Sequence, residues 1–282
     1  MSPARPQYAV IGDPIAHTRS PRIFEWLFAE TGIAGDYRAL HVPSQALART
    51  VASVREGDFQ GLSVTLPHKQ AVLALLDEVS DGARTVGAVN CLARGEDGRV
   101  RGFNTDVAGC QAALEQQGRT LRGSRMVLLG AGGAARAAAF AGREAGLAEL
   151  VIANRTVATG QALATELGAL AKGIGLYAEA LQAALDHADV LVNATRVGLS
   201  APDDSPLPVG VRLREDLVVM DMVYAPLETA LLRQARAEGA ACVDGLWMLV
   251  HQALEQLRIW TGFVAPPSFA GRVHGFVSKE MA

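Results

Sequence analysis

The sequence predicts an α/β protein of two domains, the second built on a doubly wound parallel sheet. The chain has 282 residues, which exceeds the usual size of a single domain. Half of the residues are hydrophobic, so a full core can form. Short apolar runs alternate with helical patterns, and this alternation is typical of parallel strands covered by helices.

Composition argues against several classes of function. The net charge is −3 and no basic stripe indicates nucleic-acid binding. The three cysteines are widely spaced and form neither a metal motif nor a disulfide framework, which suits a reducing cytoplasm. No apolar run approaches the roughly 20 residues of a membrane helix, and the N-terminus lacks the apolar run of a signal peptide. We therefore expect a cytoplasmic protein without nucleic-acid, membrane or metal partners.

The first part of the chain, to about residue 105, has the patterns of an α/β domain. A helix is predicted after Ser20, with Pro21 at its first position and one apolar face. Two further segments could form an antiparallel pair across the turn at residues 96–98. That pair is 88–93 and 99–103; the other predicted strands are 7–11, 37–42 and 61–66, and helical patterns lie at 44–55 and 69–86.

The second part begins with a helical stretch at about residue 107. Strands and helices then alternate, which predicts the parallel, doubly wound sheet. The predicted strands are 125–129, 150–153, 189–193 and 217–220. One predicted helix follows the first of these strands and ends at about residue 145, and the next spans 156–168. The tail from about Gly245 is mostly helical, and we expect it to return to the first domain.

A glycine-rich turn, Gly130-x-Gly132-x-x-Ala135, follows a predicted strand and opens a helix. Gly130 allows the tight turn, Gly132 lets a pyrophosphate approach the backbone, and the small Ala135 lets the helix pack closely on the strand. The helix N-terminus offers free N–H groups and a positive dipole end to phosphates. The turn therefore predicts a dinucleotide site, with a purely structural turn as the alternative.

The segment Asn154-Arg155-Thr156 ends the next predicted strand, 24 residues after Gly130. An NAD site usually carries a carboxylate near this position, and a carboxylate would repel a 2′-phosphate. Arg155 instead supplies a planar fork for that phosphate. NADP is therefore favoured, with NAD as a weaker alternative; an Arg155 that is merely solvated is the simpler interpretation.

Lys69 and Asp106 are the candidate catalytic residues. If they met, the lysine could accept a hydroxyl proton while a hydride leaves the same carbon for a nicotinamide. Sequence spacing does not show whether the two residues meet, and from chemistry alone a solvated lysine paired with an aspartate is the favoured interpretation. His17 and His68 are also candidates, although a histidine in a loop is more often structural or solvated.

Motifs along nearly the whole chain resemble the shikimate dehydrogenase family. In the first part they are VIGDPIAHTRSP (10–21), SVTLPHK (63–69), GAVN (87–90) and GFNTD (102–106). In the second part they are GAGGAAR (130–136), NRT (154–156), NAT (193–195), DMVYAP (221–226) and DGLWMLVHQ (244–252). Each motif is modest alone, and their shared order makes chance similarity very unlikely.

The resemblance implies a fold, domain boundaries and roles. It implies an N-terminal α/β substrate domain (1–106), a Rossmann NADP-binding domain (107–244) and C-terminal helices that pack on the substrate domain (245–282). Lys69 would accept the proton and Asp106 would assist it. The implied substrate-binding residues are Thr18, Ser20, Ser63, Thr65, Asn90, Tyr224 and Gln252. The implied cofactor-binding residues are Gly130, Ala131, Gly132, Gly133, Ala134, Asn154, Arg155, Thr156, Thr195, Met222 and Gly245.

Four positions depart from the family pattern. Thr18 replaces the first serine of the carboxylate loop, and its methyl group takes space. Ser63 replaces an asparagine and leaves room near the ring, and the common His-Asn pair of the loop is replaced around Phe24. Thr159 stands where a second basic residue is usual, so preference for NADP could be incomplete.

These departures leave the substrate open. The first interpretation is an NADP-dependent interconversion of shikimate and 3-dehydroshikimate, in a monomer or homodimer. Quinate or another cyclic hydroxy acid is the second. An NADP-sensing module without turnover is disfavoured because both Lys69 and Asp106 are present. A methylene-folate-type dehydrogenase would share only the Rossmann half.

Overall fold

A computed structural model of the chain describes residues 5–116, 118 and 120–281. The described residues form two compact units. The first unit contains the chain up to Thr105 together with Gln252–Lys279, and the second contains Asp106–His251 with Glu280 and Met281. The C-terminal segment Gln252–Lys279 is thus grouped with the first unit, whereas residues 245–251 are grouped with the second.

The first unit contains a mixed six-stranded sheet of order β2-β1-β3-β5-β6-β4. Its strands are β1 (Gln7–Gly12), β2 (Asp36–His41), β3 (Gly61–Val64), β4 (Glu78–Val79), β5 (Cys91–Arg94) and β6 (Val100–Phe103). β1 pairs in parallel with β2 and β3, β5 is antiparallel to both of its neighbours, and β4 is parallel to β6. The predicted antiparallel pair, β5 and β6, is confirmed.

Helices of the first unit cover this sheet. They are α1 (Ser20–Thr31), α2 (Leu47–Glu56), α3 (His68–Ala71) and α4 (Asp81–Val86). α1 buries Ile23, Phe24, Leu27 and Phe28 on one face, as its periodicity predicts. It ends at Gly32, whose φ of 71° lets its N–H bond the carbonyl of Phe28.

The helical pattern predicted over 69–86 is wrong in its continuity. Within it lie α3, a 3₁₀ turn at Val72–Leu75, β4 and α4. Ser80 caps α4 by accepting a hydrogen bond from the N–H of Ala83 at 3.3 Å, so a new helix begins there. Apolar residues spaced like one helix therefore come from several short elements whose backbones bond elsewhere.

The second unit contains a fully parallel six-stranded sheet of order β9-β8-β7-β10-β11-β12. Its strands are β7 (Arg125–Leu129), β8 (Glu149–Asn154), β9 (Ala171–Gly175), β10 (Val190–Asn193), β11 (Val218–Asp221) and β12 (Ala241–Val243). The strand order reverses between β7 and β10, which confirms the predicted doubly wound sheet. In such sheets ligands bind outside the carboxyl ends of the strands at this reversal.

Helices of the second unit connect its strands. They are α5 (Asp106–Glu115), α6 (Gly133–Ala145), α7 (Val157–Leu167), α8 (Ala178–Leu185), α9 (Ala230–Ala237) and the first turns of α10 (Gly245–Thr261). α6 is Ala-rich, and its residues Ala135 and Ala137–Ala141 are buried. Small side chains let this helix lie close to the sheet, so the glycine turn before it is placed directly above β7.

Aromatic side chains hold the C-terminal segment in the first unit. Trp260, near the end of α10, stacks on Tyr8 of β1 at 4.9 Å and donates a hydrogen bond to the carbonyl of Leu92. A Cβ on Gly61 would lie 2.2 Å from the Trp260 ring, so only glycine leaves room for that ring against β3. In α11 (Ser268–Met281), Phe269 contacts Trp26 of α1 edge to face.

Candidate active site

Lys69 lies in α3, directly after β3, in a segment that backbone hydrogen bonds fix on both sides. The N–H of Thr65 bonds the carbonyl of Ile11 at 2.9 Å, and the carbonyl of Lys69 accepts from the N–H of Val89 at 2.8 Å. His68 is buried, and its ring Nε2 lies 2.6 Å from the carbonyl oxygen of Val42. His68 is therefore structural, whereas the Lys69 side chain is half-buried.

Four polar side chains form a buried cluster in the first unit. Asn90 donates to the hydroxyl of Thr105 at 2.9 Å and accepts from the N–H of Thr105 at 2.6 Å. Gln252 and Gln256, one turn apart on α10, join this pair; the amide nitrogen of Gln256 donates to the oxygen of Gln252 at 2.8 Å. All four are at most 7% exposed. The cluster carries no charged side chain and therefore suits hydroxyl groups.

Ser63 connects this cluster to Tyr37. The phenol of Tyr37 donates to the Ser63 hydroxyl at 2.6 Å, and Ser63 donates to the amide oxygen of Gln256. The Tyr37 ring stacks on Phe24 at 4.2 Å. Burial raises the pKa of Tyr37, which keeps the phenol neutral and able to donate.

Tyr37 and Gln256 are site residues that sequence reasoning missed. Tyr37 opens a predicted strand, where an aromatic residue needs no functional explanation. Gln256 follows Gln252 by four residues in a predicted helix, and this spacing puts both amides on one face. The four-residue spacing is the one sequence signal that could have identified Gln256. It points to a site only once the structure shows that this helix face is buried.

The predicted carboxylate loop precedes α1. The Thr18 hydroxyl donates to the Ser20 hydroxyl at 3.2 Å, and the N–H of Ser20 donates back to the Thr18 hydroxyl at 3.3 Å. Burial raises the pKa of the Tyr37 phenol, and a hydrogen bond with the neighbouring Ser20 hydroxyl opposes that shift. The hydroxyls of Thr18 and Ser20 are thus adjacent. His17, directly before Thr18, is exposed.

Asp106 and Tyr224, two further predicted site residues, belong to the second unit. Asp106 is the first residue of α5 and is 7% exposed. A carboxylate at a helix N-terminus is favoured by the helix dipole. Burial, assisted by this carboxylate, raises the pKa of the Cys110 thiol to about 12, so Cys110 stays protonated. Tyr224 is half-buried and follows β11.

The glycine turn after β7 has the geometry that a phosphate-binding loop needs. Gly130 has a φ of 100°, in the region that favours glycine. No atom of the described residues would lie within 4 Å of a Cβ added to Gly132 or Gly133, so protein packing does not require glycine there. The open space fits close approach of an external group to the N-terminus of α6.

The segment Asn154-Arg155-Thr156 lies at the carboxyl end of β8, beside the glycine turn. Gly130 donates its N–H to the carbonyl of Ala153 at 2.9 Å, which joins the two strand ends. The Asn154 amide donates to the carbonyl of Thr156 at 2.9 Å and braces the turn. Arg155, between Asn154 and Thr156, is exposed. These residues have the chemistry that the adenosine end of NADP needs, since Arg155 offers a cation that a 2′-phosphate could bind.

A buried carboxylate anchors the loops after β10 and β11. Asp221 accepts from the amide of Asn193 at 2.9 Å, and Asn193 in turn accepts from the hydroxyl of Thr195 at 2.7 Å. The N–H of Met222 donates to the carbonyl of Asn193 at 2.9 Å. Thr195 and Met222, both predicted to contact the cofactor, are therefore held by one network at the reversal of the strand order.

Gly245 packs against the backbone of the same loop. A Cβ at this position would lie 2.6 Å from the carbonyl oxygen of Met222 and 2.8 Å from the carbonyl carbon of Val223. No side chain fits there, so glycine is required by the close approach of α10 to the loop. Ala131 and Ala134 lie on either side of the two open glycines at the start of α6.

Within the part of the chain that the structure describes, no group of His, Cys, Asp and Glu side chains could hold a metal ion. Over the same residues, no helix is both long and apolar enough to cross a membrane.

Family models match three parts of the chain. The shikimate dehydrogenase substrate binding domain matches residues 10–92, shikimate / quinate 5-dehydrogenase matches 112–201, and the shikimate 5′-dehydrogenase C-terminal domain matches 245–268. The shikimate dehydrogenase (NADP(+)) of Methylobacterium radiotolerans is 45% identical over 93% of both chains. The chain belongs to the shikimate dehydrogenase family. The resemblance seen in the motifs is thereby confirmed.

Solved structures of the shikimate dehydrogenase family share the fold. The enzyme of Thermus thermophilus, in complex with NADP(H) and shikimate, has a TM-score of 0.86 and 42% identity and covers 96% of this chain and 99% of its own. The quinate dehydrogenase of Corynebacterium glutamicum, in complex with NAD, has a TM-score of 0.87 and 33% identity, with 97% and 98% covered. Of these two similar structures, one therefore holds NADP(H) and shikimate, and the other is named a quinate dehydrogenase and holds NAD.

Proposed function

We propose that this protein interconverts shikimate and 3-dehydroshikimate with NADP as hydride acceptor. The observation that carries the proposal is the buried, uncharged cluster of amides and hydroxyls around Asn90 and Gln252. A backbone hydrogen bond from Val89, the residue before Asn90, to Lys69 joins this cluster to the Lys69 segment. Such groups recognise ring hydroxyls, because each hydroxyl both donates and accepts. The 45% identity to an enzyme named shikimate dehydrogenase (NADP(+)) agrees with this substrate class.

In this proposal Lys69 accepts the proton of the reacting hydroxyl, and Asp106 orients it. The C–H bond of the carbinol carbon breaks with its electron pair, the O–H proton goes to the Lys69 amine, and a carbonyl remains. The hydrogen that leaves carbon with this electron pair is a hydride, and bound NADP⁺ would supply its acceptor, so one alcohol would give one ketone and one NADPH. Lys69 then releases its proton to water.

The remaining roles in this proposal are those that the family motifs imply for each residue. Thr18 and Ser20 bind the carboxylate as adjacent hydroxyls, and Thr65, Asn90 and Gln252 bind ring hydroxyls. Ser63 and Tyr224 are the further substrate-binding residues of this proposal. The cofactor is held by Gly130, Ala131, Gly132, Gly133, Ala134, Asn154, Arg155, Thr156, Thr195, Met222 and Gly245. Arg155 without a second basic neighbour would make NADP preferred and NAD a weaker acceptor.

Replacing Lys69 by methionine tests the proton acceptor. Methionine keeps the length of the side chain but cannot bind a proton. We expect kcat with shikimate and NADP to fall by roughly 10²–10⁴-fold, the usual contribution of general base catalysis, with unchanged affinity for NADP. Steady-state kinetics and a direct NADP titration measure both quantities.

The exposed Lys172, which pairs with Glu149 on the second unit, provides the matched control Lys172→Met. A Lys69→Met variant that retains more than a tenth of the wild-type kcat would show that another group takes the proton. A wild-type protein that binds NADP but turns over neither shikimate nor quinate would refute both substrates and leave another cyclic hydroxy acid or a sensor of NADP.

Quinate is the second candidate substrate. Thr18 and Ser63 differ from the family pattern on the substrate side, and the likeness to a quinate dehydrogenase shows that this fold accommodates more than one ring acid. Side-by-side kcat/KM values for shikimate and quinate, each with NADP and NAD, decide between them.

We also propose that the protein works in the cytoplasm as a monomer or a homodimer. Its three cysteines are free thiols, and Cys91 and Cys110 are buried, which suits a reducing compartment. Light scattering of the purified protein at several concentrations distinguishes the two oligomeric states.

A further inference from the structure

Gln256 is the most completely enclosed polar side chain of the first unit that the proposed chemistry does not use. It is 0% exposed, and its amide has four hydrogen-bond partners, three of which share the two N–H groups. Its nitrogen faces the oxygen of Gln252, the carbonyl of Asn90 and the hydroxyl of Thr105, and its oxygen faces Ser63. An amide is buried this deeply only when its partners are provided, so the surroundings of Gln256 form a built polar site.

The partners fix which end of the Gln256 amide faces which neighbour. The backbone carbonyl of Asn90 can only accept, so the group 3.3 Å from it must be the Gln256 nitrogen. The oxygen then faces Ser63, and the Ser63 hydroxyl must donate to it. The same nitrogen faces Gln252 at 2.8 Å, so Gln252 must present its oxygen to Gln256.

The result is a hydrogen-bond chain with a single direction. Tyr37 donates to Ser63, Ser63 donates to Gln256, and Gln256 donates to Gln252. The high pKa of the buried Tyr37 phenol keeps the first donor protonated at physiological pH. Because the Ser63 proton is committed to Gln256, Ser63 can offer a ligand only an acceptor lone pair.

We propose that Gln256 is a positioning residue that sets the polarity of Gln252 toward the substrate. Since the Gln252 oxygen is turned toward Gln256, the Gln252 nitrogen is directed as a donor to the opposite side. The pocket therefore matches a ring hydroxyl that accepts from Gln252, and it disfavours a ring acid with an ammonium group there. This inference rests on the proposed function, in which Gln252 binds a ring hydroxyl.

A double-mutant cycle between Gln256 and Gln252 tests the inference. Gln256→Met removes the amide while nearly keeping its volume, and Gln252→Leu removes the group on which Gln256 acts. We expect Gln256→Met to raise KM for shikimate by up to about tenfold, as loss of one oriented hydrogen bond predicts, with kcat within about threefold. In the Gln252→Leu background, Gln256→Met should change KM no further.

A merely structural glutamine would give a different pattern. The matched control is Gln234→Met, because Gln234 also donates its amide to a backbone carbonyl, that of Val211, but in the second unit; its KM for shikimate should equal that of the wild type. Gln256→Asn serves as a second variant if Gln256→Met does not fold. It keeps a polar side chain that is too short to reach Ser63, and it should also raise KM for shikimate.

The possible results separate the inference from the proposed function. Effects of Gln256→Met and Gln252→Leu that multiply in the double variant, or a KM unchanged in both Gln256 variants, would overturn the positioning role alone. A wild-type protein without shikimate turnover would overturn the proposed function and this inference with it. KM for NADP should stay at the wild-type value in every Gln256 variant.

Discussion

The two units of this protein build their candidate binding sites in opposite ways. In the first unit, Ser63, Asn90, Thr105, Gln252 and Gln256 are buried neutral groups that satisfy one another. In the second unit, the candidate cofactor residues lie on loops at the ends of parallel strands, with open glycines and an exposed arginine. One site is defined by its hydrogen-bond directions, and the other by backbone shape and charge.

This difference predicts how each site tolerates change. A neutral, mutually satisfied cluster loses ligand orientation when one member is removed, because the others lose partners. A loop site that depends on one exposed charge loses only the ligand group that needs the charge. Substitutions in the second unit should therefore separate cofactor effects from substrate effects cleanly.

The largest effect in this comparison is expected from Arg155→Leu. Loss of a charge-assisted contact of about 1.5–3 kcal/mol should raise KM for NADP by roughly 10- to 100-fold and leave KM for NAD and shikimate unchanged. Steady-state kinetics with both cofactors measure it. Arg212→Leu, at an exposed arginine paired with Glu238, is the control. Equal losses with NADP and NAD would show that Arg155 does not read the 2′-phosphate.

A second effect is expected from backbone shape. Gly245→Ala forces a Cβ to within 2.6 Å of the Met222 carbonyl oxygen and should lower the free energy of unfolding by about 1–3 kcal/mol. Gly271→Ala in α11 is the control, since no described atom lies within 4 Å of its added Cβ; it should stabilise by about 0.5–1 kcal/mol. Urea titrations compare them, and two equal changes would contradict the packing argument.

The smallest effect concerns the buried carboxylate of Asp221. Burial raises the pKa of Asp221 above its ordinary 3.8, although three hydrogen bonds oppose the shift. The folded state therefore holds this proton more tightly than the unfolded state. The stabilisation is full below pH 3.8 and is lost as pH rises through the raised pKa.

Asp221→Asn keeps acceptor and donor positions for Asn193 and Thr229 but does not titrate. We expect the stability of the wild type relative to this variant to decline as pH rises through that window. Urea denaturation at successive pH values measures the difference. A difference that grows with pH would mean that the hydrogen bonds, rather than burial, dominate.

Local patterns predicted most of the second unit. The glycine turn, the strand before it and the Asn154-Arg155-Thr156 segment are found where the sequence places them, because parallel strand ends share one edge of a sheet. Strands β9 and β12 were not predicted. Both are edge strands: β9 includes Lys172 and Gly173, and β12 (Ala241–Val243) has only three residues, so neither forms the apolar run of a buried strand.

The first unit was harder to predict because its contacts are remote in sequence. The apolar spacing over residues 69–86 indicates one helix, whereas the structure has α3, β4 and α4 there. Ser63 and Asn90 could be named from motifs. Their link to Gln256, 193 residues after Ser63, could not, because a hydrogen bond across that separation leaves no local pattern.

The sequence by itself determined the two-part α/β class, the dinucleotide loop and the family, since these depend on periodicity, glycine positions and short motifs. Only the tertiary structure decided which polar groups are buried together and which way their hydrogen bonds run. The physical reason is that the sequence does not fix which way a side-chain amide such as that of Gln256 points its N–H groups and its oxygen. Its donor and acceptor ends are assigned only when folding places a one-way partner, the carbonyl of Asn90, against one of them.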